Sequence, residues 1–296
     1  MGDGSKIEWT DATWNPIVGC KAVSPGCDHC YAARYASRNL SDTYRGLAED
    51  GVFNGTVRCL PERLDQPLRW KRPRRIFVNS MSDLFHPDVP DDFIVSVWAV
   101  MCQANWHQFQ ILTKRPQRMA RLCSDPLNTV EPNVWLGTSI ESDTYTFRAN
   151  YLRDTPAAIR FLSLEPLLGP LPSLDLTGID WVIVGGESGP GARPMHVDWV
   201  RDIRDRCLEA KVPFHFKQWG AWHHGSYPSH NGASMRGDVL TNDGRLWNWW
   251  NLEEAVRAAG LHSDEFQRLR PEVVACTGKK AAGRELDGRE WNEYPS

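Results

Sequence analysis

The sequence holds no uninterrupted apolar run approaching the roughly eighteen residues that a membrane span requires, so no segment is expected to cross a bilayer. Its start, Met1-Gly2-Asp3-Gly4-Ser5-Lys6, lacks the apolar stretch of a signal peptide, and a cytoplasmic location is the expectation. No internal repeat of fixed period and no long low-complexity run occur, which argues against solenoid and fibrous architectures. Charge of one sign is also missing. The 34 Lys+Arg stand against 37 Asp+Glu, a formal net of −3, so only a local basic patch could serve nucleic acid. Disorder as the main state is excluded by 41% hydrophobic residues and that small net charge. What is present is a chain of 296 residues, enough for one large domain or two small ones with a buried core.

Six short runs read as strands: Arg75-Ile76-Phe77-Val78-Asn79, Phe109-Gln110-Ile111-Leu112-Thr113, Val134-Trp135-Leu136-Gly137-Thr138, Ile159-Arg160-Phe161-Leu162-Ser163, Trp181-Val182-Ile183-Val184-Gly185 and Pro213-Phe214-His215-Phe216-Lys217. Each is rich in β-branched or aromatic residues and bounded by turn formers. A seventh strand is expected near Ile17-Val18. Helical spacing of apolar residues predicts helices over 91–104, 116–122, 142–153 and 196–210, the first after the start signal Pro90-Asp91-Asp92. Strand starts lie about 20 to 35 residues apart, the span of a βαβ unit. The expected fold is therefore α/β, a full or partial (β/α) barrel, with an open doubly wound sheet as competitor.

Polar residues gather where each strand ends: Asn79 to Asp83, Thr113-Lys114-Arg115, Thr138-Ser139, Glu165, Gly185-Gly186-Glu187-Ser188 and Lys217-Gln218. In a barrel these ends face one way and converge on one mouth. Residues 41–70 read as a loop-rich insertion. Beyond Trp222 the pattern weakens: 223–243 looks like a polar, Gly-rich loop or lid, and 252–259 like a helix. The division is thus 1–222 for the cysteine loop and barrel, and 223–296 for a lid-like loop and C-terminal extension packed on it.

Eight cysteines in a reducing compartment are a poor disulfide framework, and three of them cluster. Gly19-Cys20-Lys21-Ala22-Val23-Ser24-Pro25-Gly26-Cys27-Asp28-His29-Cys30-Tyr31 has the spacing C-x6-C-x2-C, with Pro25-Gly26 as the turn. Three thiolates on one short loop suit zinc or an iron–sulfur cluster. A structural zinc site needs a fourth ligand, and none lies at short spacing: His29 abuts Cys30, and Cys59 stands alone. A [4Fe-4S] cluster on Cys20, Cys27 and Cys30, one iron left open, fits that count; zinc and no metal are the rivals. Cys59, Cys102, Cys123, Cys207 and Cys276 are isolated, and small core residues are the reading for those in helices.

A three-cysteine loop ending in Cys-x-x-Cys-Tyr ahead of a barrel pattern resembles the radical S-adenosylmethionine superfamily, although six residues fill the first gap where that superfamily usually has three. More narrowly, the chain resembles the phage-associated three-cysteine-motif family. The resemblance rests on Thr13-Trp14-Asn15-Pro16, the cysteine loop, Ser80-Met81-Ser82-Asp83-Leu84-Phe85-His86, Leu112-Thr113-Lys114-Arg115-Pro116, Ser163-Leu164-Glu165-Pro166-Leu167, Gly185-Gly186-Glu187-Ser188-Gly189, Phe216-Lys217-Gln218-Trp219-Gly220 and the Gly278 to Arg284 tail. It implies an open iron that binds the amino and carboxylate groups of S-adenosylmethionine, whose reductive cleavage gives methionine and a 5′-deoxyadenosyl radical. It also implies that the loop after the first confident strand seats the methionine amino group. Ser80, Ser82, Asp83, Lys114, Thr138, Ser139, Glu165, Gly185, Gly186 and Glu187 are then the candidate cofactor contacts, and Glu165, Lys217 and Asp83 the candidate catalytic groups.

Each has an ordinary structural alternative. Ser80, Ser82 and Asp83 could cap a helix. Lys114 or Arg115 could hold a carboxylate or phosphate, or begin a solvated helix; cations at that end oppose the helix dipole. Glu165 could accept a proton or bind ribose hydroxyls, or be a buried glutamate paired to Arg160 or Lys114. Gly185-Gly186-Glu187 permits close backbone approach to a ligand but matches no nucleotide fingerprint, and Arg193 nearby could add an anion contact. Trp219 could stack on a ring or simply pack. His223, His224 and His230 read as part of a polar lid rather than a second metal site, and the Lys279-Lys280-Arg284 tail as solvated rather than phosphate-binding.

The function expected is a radical S-adenosylmethionine-like enzyme acting on a nucleic-acid base, nucleotide or similar small polar substrate, with rim aromatics among the fourteen Trp as a motive. The alternative is a non-catalytic, zinc- or cluster-stabilised nucleic-acid-binding protein. Candidate partners are the small-molecule cofactor, the nucleic acid or nucleotide, an electron donor and a partner protein; a membrane is not among them.

Overall fold

Six of the seven barrel strands fall where β-branched and aromatic residues predict them. In a computed structural model that describes residues 4–5, 7–39, 41–124, 131–224 and 237–295, the frame consists of β1 (Ala12–Trp14), β2 (Arg75–Val78), β3 (Gln108–Thr113), β4 (Val134–Ser139), β5 (Ile159–Leu164), β6 (Trp181–Gly185) and β7 (Phe214–Gln218). All pair in parallel, in chain order, and the sheet curls into a half-barrel. The helices between them are α1 (Tyr31–Arg38), α2 (Asp91–Gln103), α3 (Pro116–Cys123), α4 (Arg148–Arg153) and α5 (Val197–Ala210). A barrel is therefore correct in its partial form. The seventh strand is not Ile17–Val18, which pairs antiparallel with Arg58–Cys59 outside the main sheet; it is β1, a few residues earlier.

Period-2 alternation divides each strand between two cores. Ile76, Val78, Phe109, Ile111, Val134, Leu136, Leu162, Leu164, Val182, Val184, Phe214 and Phe216 face the helices, where Val97, Met101, Val200 and Ile203 complete one large cluster. The opposite set, Phe77, Trp135, Phe161, Trp181 and Ile183, fills the concave side with Trp9. Gly137 belongs to that inner set, and a Cβ there would stand 2.5 Å from the Phe161 ring. The glycine is the space into which Phe161 fits.

A half-barrel leaves an open side between β1 and β7. Here the two ends of the chain close it. Trp9 packs at 4.8 Å from Phe77 and 6.3 Å from Trp181. The C-terminal segment runs along β7, with Phe216 N–H donating to the Trp291 carbonyl at 2.9 Å and His215 bridging Asn292. Tyr294 then enters the concavity, 5.1 Å from the Trp181 ring, with the Arg75 guanidinium 4.6 Å over its own ring.

The stretch read as a lid contains strands instead. β8 (Trp222–His224), β9 (Gly237–Leu240), β10 (Leu246–Asn248) and β11 (Glu272–Cys276) form an antiparallel sheet in the order β8-β11-β9-β10. Helices α6 (Leu252–Ala258) and α7 (Ser263–Arg268) follow β10, and a short α8 (Lys279–Ala282) follows β11. Trp222, Leu240, Val274 and Leu286 join the main core, so this sheet packs on the barrel. The expected lid residues from 225 to 236, His230 among them, lie outside the described residues.

Gly137→Val should lower unfolding stability by about 1–3 kcal/mol, because overpacking displaces Phe161. Denaturant unfolding checks this: an unchanged midpoint would mean that the inner core is not packed as described.

Candidate active site

The strand-end loops converge on one cavity of about 430 Å³ at the C-terminal mouth. Its wall carries Cys20, Cys27 and Cys30 on one side, and Asp83, Lys114, Ser139, Glu165, Gly186, Glu187 and Lys217 below and opposite. Trp9, Phe77 and Leu112 give it an apolar floor. Alternation explains this layer: Ser139, Ser163, Gly185 and Lys217 continue the inner face two residues beyond Gly137, Phe161, Ile183 and His215.

The same rule removes one expected residue. Thr138 and Ser139 are adjacent, so only one can face inward. Ser139 lines the cavity, whereas Thr138 is fully buried on the other side and its hydroxyl donates to the Thr113 carbonyl at 2.9 Å. Thr138 is thus a sheet-stabilising residue rather than a cofactor contact. Gly185 also makes no cavity surface of its own. A Cβ there would fall 2.4 Å from Glu165 Oε1, so the glycine makes room for that carboxylate.

Glu165 and Lys217 form an ion pair: Lys217 Nζ lies 3.0 Å from Glu165 Oε1, and Ser163 Oγ donates to Glu165 Oε2 at 3.3 Å. The partner is neither Arg160 nor Lys114. Lys114 instead approaches Glu141 at 4.0 Å. Behind the pair, the loops after β6 and β7 interlock, with Gly186 N–H bonded to the Gln218 carbonyl at 2.9 Å and Ala221 N–H to the Glu187 carbonyl at 2.8 Å.

Asp83 and Glu187 line the cavity, yet their oxygens are occupied from within. Asp83 accepts from Thr113 Oγ1 (2.7 Å), Phe85 N–H (2.9 Å), Lys114 N–H (3.2 Å) and Arg115 Nη1 (2.8 Å). Arg115 also donates to the Lys21 carbonyl at 2.9 Å and reaches Cys20 Sγ at 3.8 Å. Glu187 meets His29 Nδ1 at 2.9 Å and accepts from Arg193 Nη2 at 2.6 Å, while Arg193 donates to the Pro25 carbonyl at 2.8 Å and contacts Asp28 at 3.2 Å. Two arginines thus fasten the two halves of the cysteine loop, each neutralised by a buried carboxylate. Ser82 works similarly through the Ile17 carbonyl at 2.8 Å, and Ser80 through Asn15 Oδ1 at 3.2 Å.

The thiols are free, and burial pushes Cys20 up to about 11, with Asp83 adding to the rise and Arg115 opposing it. Burial raises Cys30 too, against the N–H groups of Ala33 and Ala32. Both are neutral near pH 7, so a metal must displace their protons on binding. Among the described residues, no three His, Cys, Asp or Glu side chains converge as a single ion would need. A [4Fe-4S] cluster takes each thiolate on a different iron, which three thiols spread along one cavity wall can satisfy. The soft donor set, facing a cavity and free of disulfides, fits such a group.

Two cavity residues lie in segments named from the sequence but were not among the candidate contacts. Asn79 has φ +61°, and its buried carboxamide has no hydrogen-bond partner among the described residues. Lys279, read as part of a solvated tail, lines the cavity and pairs with Glu8 at 3.1 Å. Sequence position could not reveal either, because one depends on a backbone conformation and the other on the return of the C-terminal segment. The expected tryptophan rim is absent: Trp106, Trp249 and Trp250 are the exposed ones, and none lines the cavity. Trp219 is buried, donating to the Glu285 carbonyl at 2.8 Å, and His224 pairs with Glu272 at 3.0 Å.

Fold and site together define a parallel half-barrel with a three-thiol cavity at its C-terminal mouth. The chain belongs to the family described as "Protein of unknown function (DUF5131)", whose model matches residues 4–295. No curated protein matches it in sequence. Among solved structures it is similar to spore photoproduct lyase complexed with dinucleoside spore photoproduct, at 12% identity and TM-score 0.43, covering 91% of this chain and 75% of that one. A mutant of the same lyase with bound AdoMet and dinucleoside spore photoproduct gives 11% identity and TM-score 0.42 over the same shares.

Burial pushes the Glu187 carboxyl up, but hydrogen bonds from Arg193 and His29 outweigh it and hold the group below its ordinary value. Its stabilisation is full above the unfolded value of about 4.3 and fades as pH falls through the lower folded value. Glu187→Gln should therefore be less stable than the parent near neutrality and converge with it in acid. Urea midpoints across pH check this; a constant gap at all pH values would contradict it.

Proposed function

We propose that the chain is a radical S-adenosylmethionine-type enzyme, holding a [4Fe-4S] cluster on Cys20, Cys27 and Cys30 and acting on a nucleic-acid base or nucleotide. The observation that carries this reading is the placement of all three thiols on the wall of the cavity that also contains Glu165 and Lys217. When bound, the cluster supplies one electron for reductive cleavage of the sulfonium cofactor.

The chain's own residues bind, orient and exclude water. Arg115 and Arg193 fix the cysteine loop over the mouth, and their partners Asp83 and Glu187 act as positioning residues rather than as ligand contacts. Asp83, fully engaged by four donors, has no oxygen free to move a proton. Of the three strand-end carboxylates, Glu165 is the one that remains for a ligand: Lys217 and Ser163 hold it, and it can accept from ribose hydroxyls or take a proton at Oε2. Ser139 and Lys114 line the same cavity and present polar groups to it. Trp9, Phe77 and Leu112 give a planar ligand an apolar surface and keep water from reactive species. A cavity of about 430 Å³ suits a single nucleotide-sized group.

Anaerobic loading with iron and sulfide should give a brown protein with about four irons per chain. Reduction with S-adenosylmethionine present should then release 5′-deoxyadenosine. Cys27→Ala should lose the cluster, and Glu165→Ala should keep it but lose about tenfold or more in turnover. A fully loaded protein that releases no 5′-deoxyadenosine overturns the proposal, as does a stoichiometric zinc ion that iron cannot replace.

A further inference from the structure

Helix α1 leaves the cavity mouth with one side packed and one side bare. Ala32, Ala33 and Ala36 are buried, whereas Tyr31 and Tyr35 are 59% and 43% exposed. Tyr31, Arg34, Tyr35 and Arg38 follow the spacing i, i+3, i+4, i+7, so rings and cations share one stripe. The rings are held in place. Tyr31 donates its hydroxyl to the Ser80 carbonyl at 2.5 Å across the mouth. Tyr35 rests edge-on against buried Tyr44 at 5.3 Å, and its oxygen accepts from Asn39 at 2.9 Å.

Charge around the mouth adds a second observation. The lining carboxylates Glu8, Asp83, Glu165 and Glu187 each have a cation of their own, namely Lys279, Arg115, Lys217 and Arg193. Lys21 at the lip, and Arg34 and Arg38 on the stripe, have no carboxylate partner among the described residues, although half-buried Arg34 already donates Nη2 to the Pro190 carbonyl at 2.6 Å. The lip and stripe therefore carry cations that no side-chain carboxylate neutralises among the described residues, beside exposed Glu49 and Asp50 on the turn against α1.

We propose that this stripe is a track for single-stranded nucleic acid whose target nucleotide enters the cavity. Flanking bases stack on Tyr31 and Tyr35, and phosphates pair with Lys21 and Arg38 and with the Arg34 N–H groups that the Pro190 carbonyl leaves free. The proposal rests on the nucleotide reading of the cavity and narrows it, from a free nucleoside to a nucleotide within a strand. Immobilised rings lose little freedom on stacking, and interleaved cations match the sugar–phosphate backbone between bases. An acidic protein partner would use the cations but would leave the two rings without a role.

The test uses the cluster-loaded full chain and anisotropy of a labelled single-stranded oligonucleotide, with poly-glutamate as a polyanion lacking bases. Tyr35→Ala should weaken binding about tenfold while Tyr35→Phe retains it. Arg38→Gln should flatten the salt dependence by about 0.7 in log–log slope. Poly-glutamate should compete poorly. Competition by poly-glutamate equal to that of the oligonucleotide overturns the track in favour of an acidic protein, and unchanged affinity in both Tyr35→Ala and Arg38→Gln overturns it outright. Release of 5′-deoxyadenosine, measured in the same preparations, separates the two ideas: release without oligonucleotide binding removes only the track, whereas a loaded protein without release removes the enzyme reading beneath it.

Discussion

The site depends on two arginine–carboxylate pairs that tie a short loop to the ends of the barrel strands. The cysteine loop has little regular structure of its own, beyond one turn at Pro25–Cys27. Its backbone carbonyls at Lys21 and Pro25 are held by Arg115 and Arg193, which come from the loops after β3 and β6. Each guanidinium is partly or largely withdrawn from water and would be costly there without Asp83 or Glu187. The carboxylates in turn accept several donors each, so loop, arginine and strand end form one connected network. Breaking any member leaves an unpaired buried charge, a stronger constraint than the loop's few apolar contacts could provide.

That network explains why acidic residues at strand ends are not equivalent. Asp83, Glu165 and Glu187 look alike in sequence, each in a polar cluster just after an apolar run. Their surroundings separate them. Asp83 and Glu187 face arginines whose remaining donors belong to the cysteine loop, so their oxygens serve position. Glu165 faces Lys217 from the neighbouring β7 loop, with Gly185 leaving it space. Of these three, only Glu165 keeps oxygens that are not taken up in fastening the cysteine loop.

Much of the frame was legible because the helix-facing and inner halves of each strand are both apolar, giving the short β-branched and aromatic runs of a buried parallel sheet. Trp181–Gly185 was recovered to the residue, and the other expected strands to within one or two. β1 was missed because three residues, Ala12 to Trp14, carry too little pattern, and the nearby Ile17-Val18 has the more strand-like composition. The β8–β11 sheet was missed for a related reason: its strands are three to five residues long and include His and Asp. Asp243-Gly244 between Val-Leu and Leu-Trp was the available hairpin signal. At the site, the cysteines, Glu165 and Lys217 could be named because chemistry and strand-end position coincide. Arg115 and Arg193 could be named only as anion-binding candidates, since Asp83 and the Lys21 and Pro25 carbonyls that they hold come from elsewhere in the chain.

Closure of the half-barrel by the chain's own ends has a consequence for what the cavity can receive. An open parallel sheet exposes its concave side along one flank, and a bulky ligand can approach there without passing the mouth. In this chain Trp9 and Tyr294 occupy that flank, and the Glu8–Lys279 pair joins the two terminal segments beside the cavity. Among the described residues, the cavity is bounded at its mouth by the cysteine loop and the start of α1. Any ligand that is part of a larger molecule must present one extended group through that end while the remainder lies on the surface beside it. The surface that it would meet first is α1, where the buried alanines leave tyrosine and arginine to face outward.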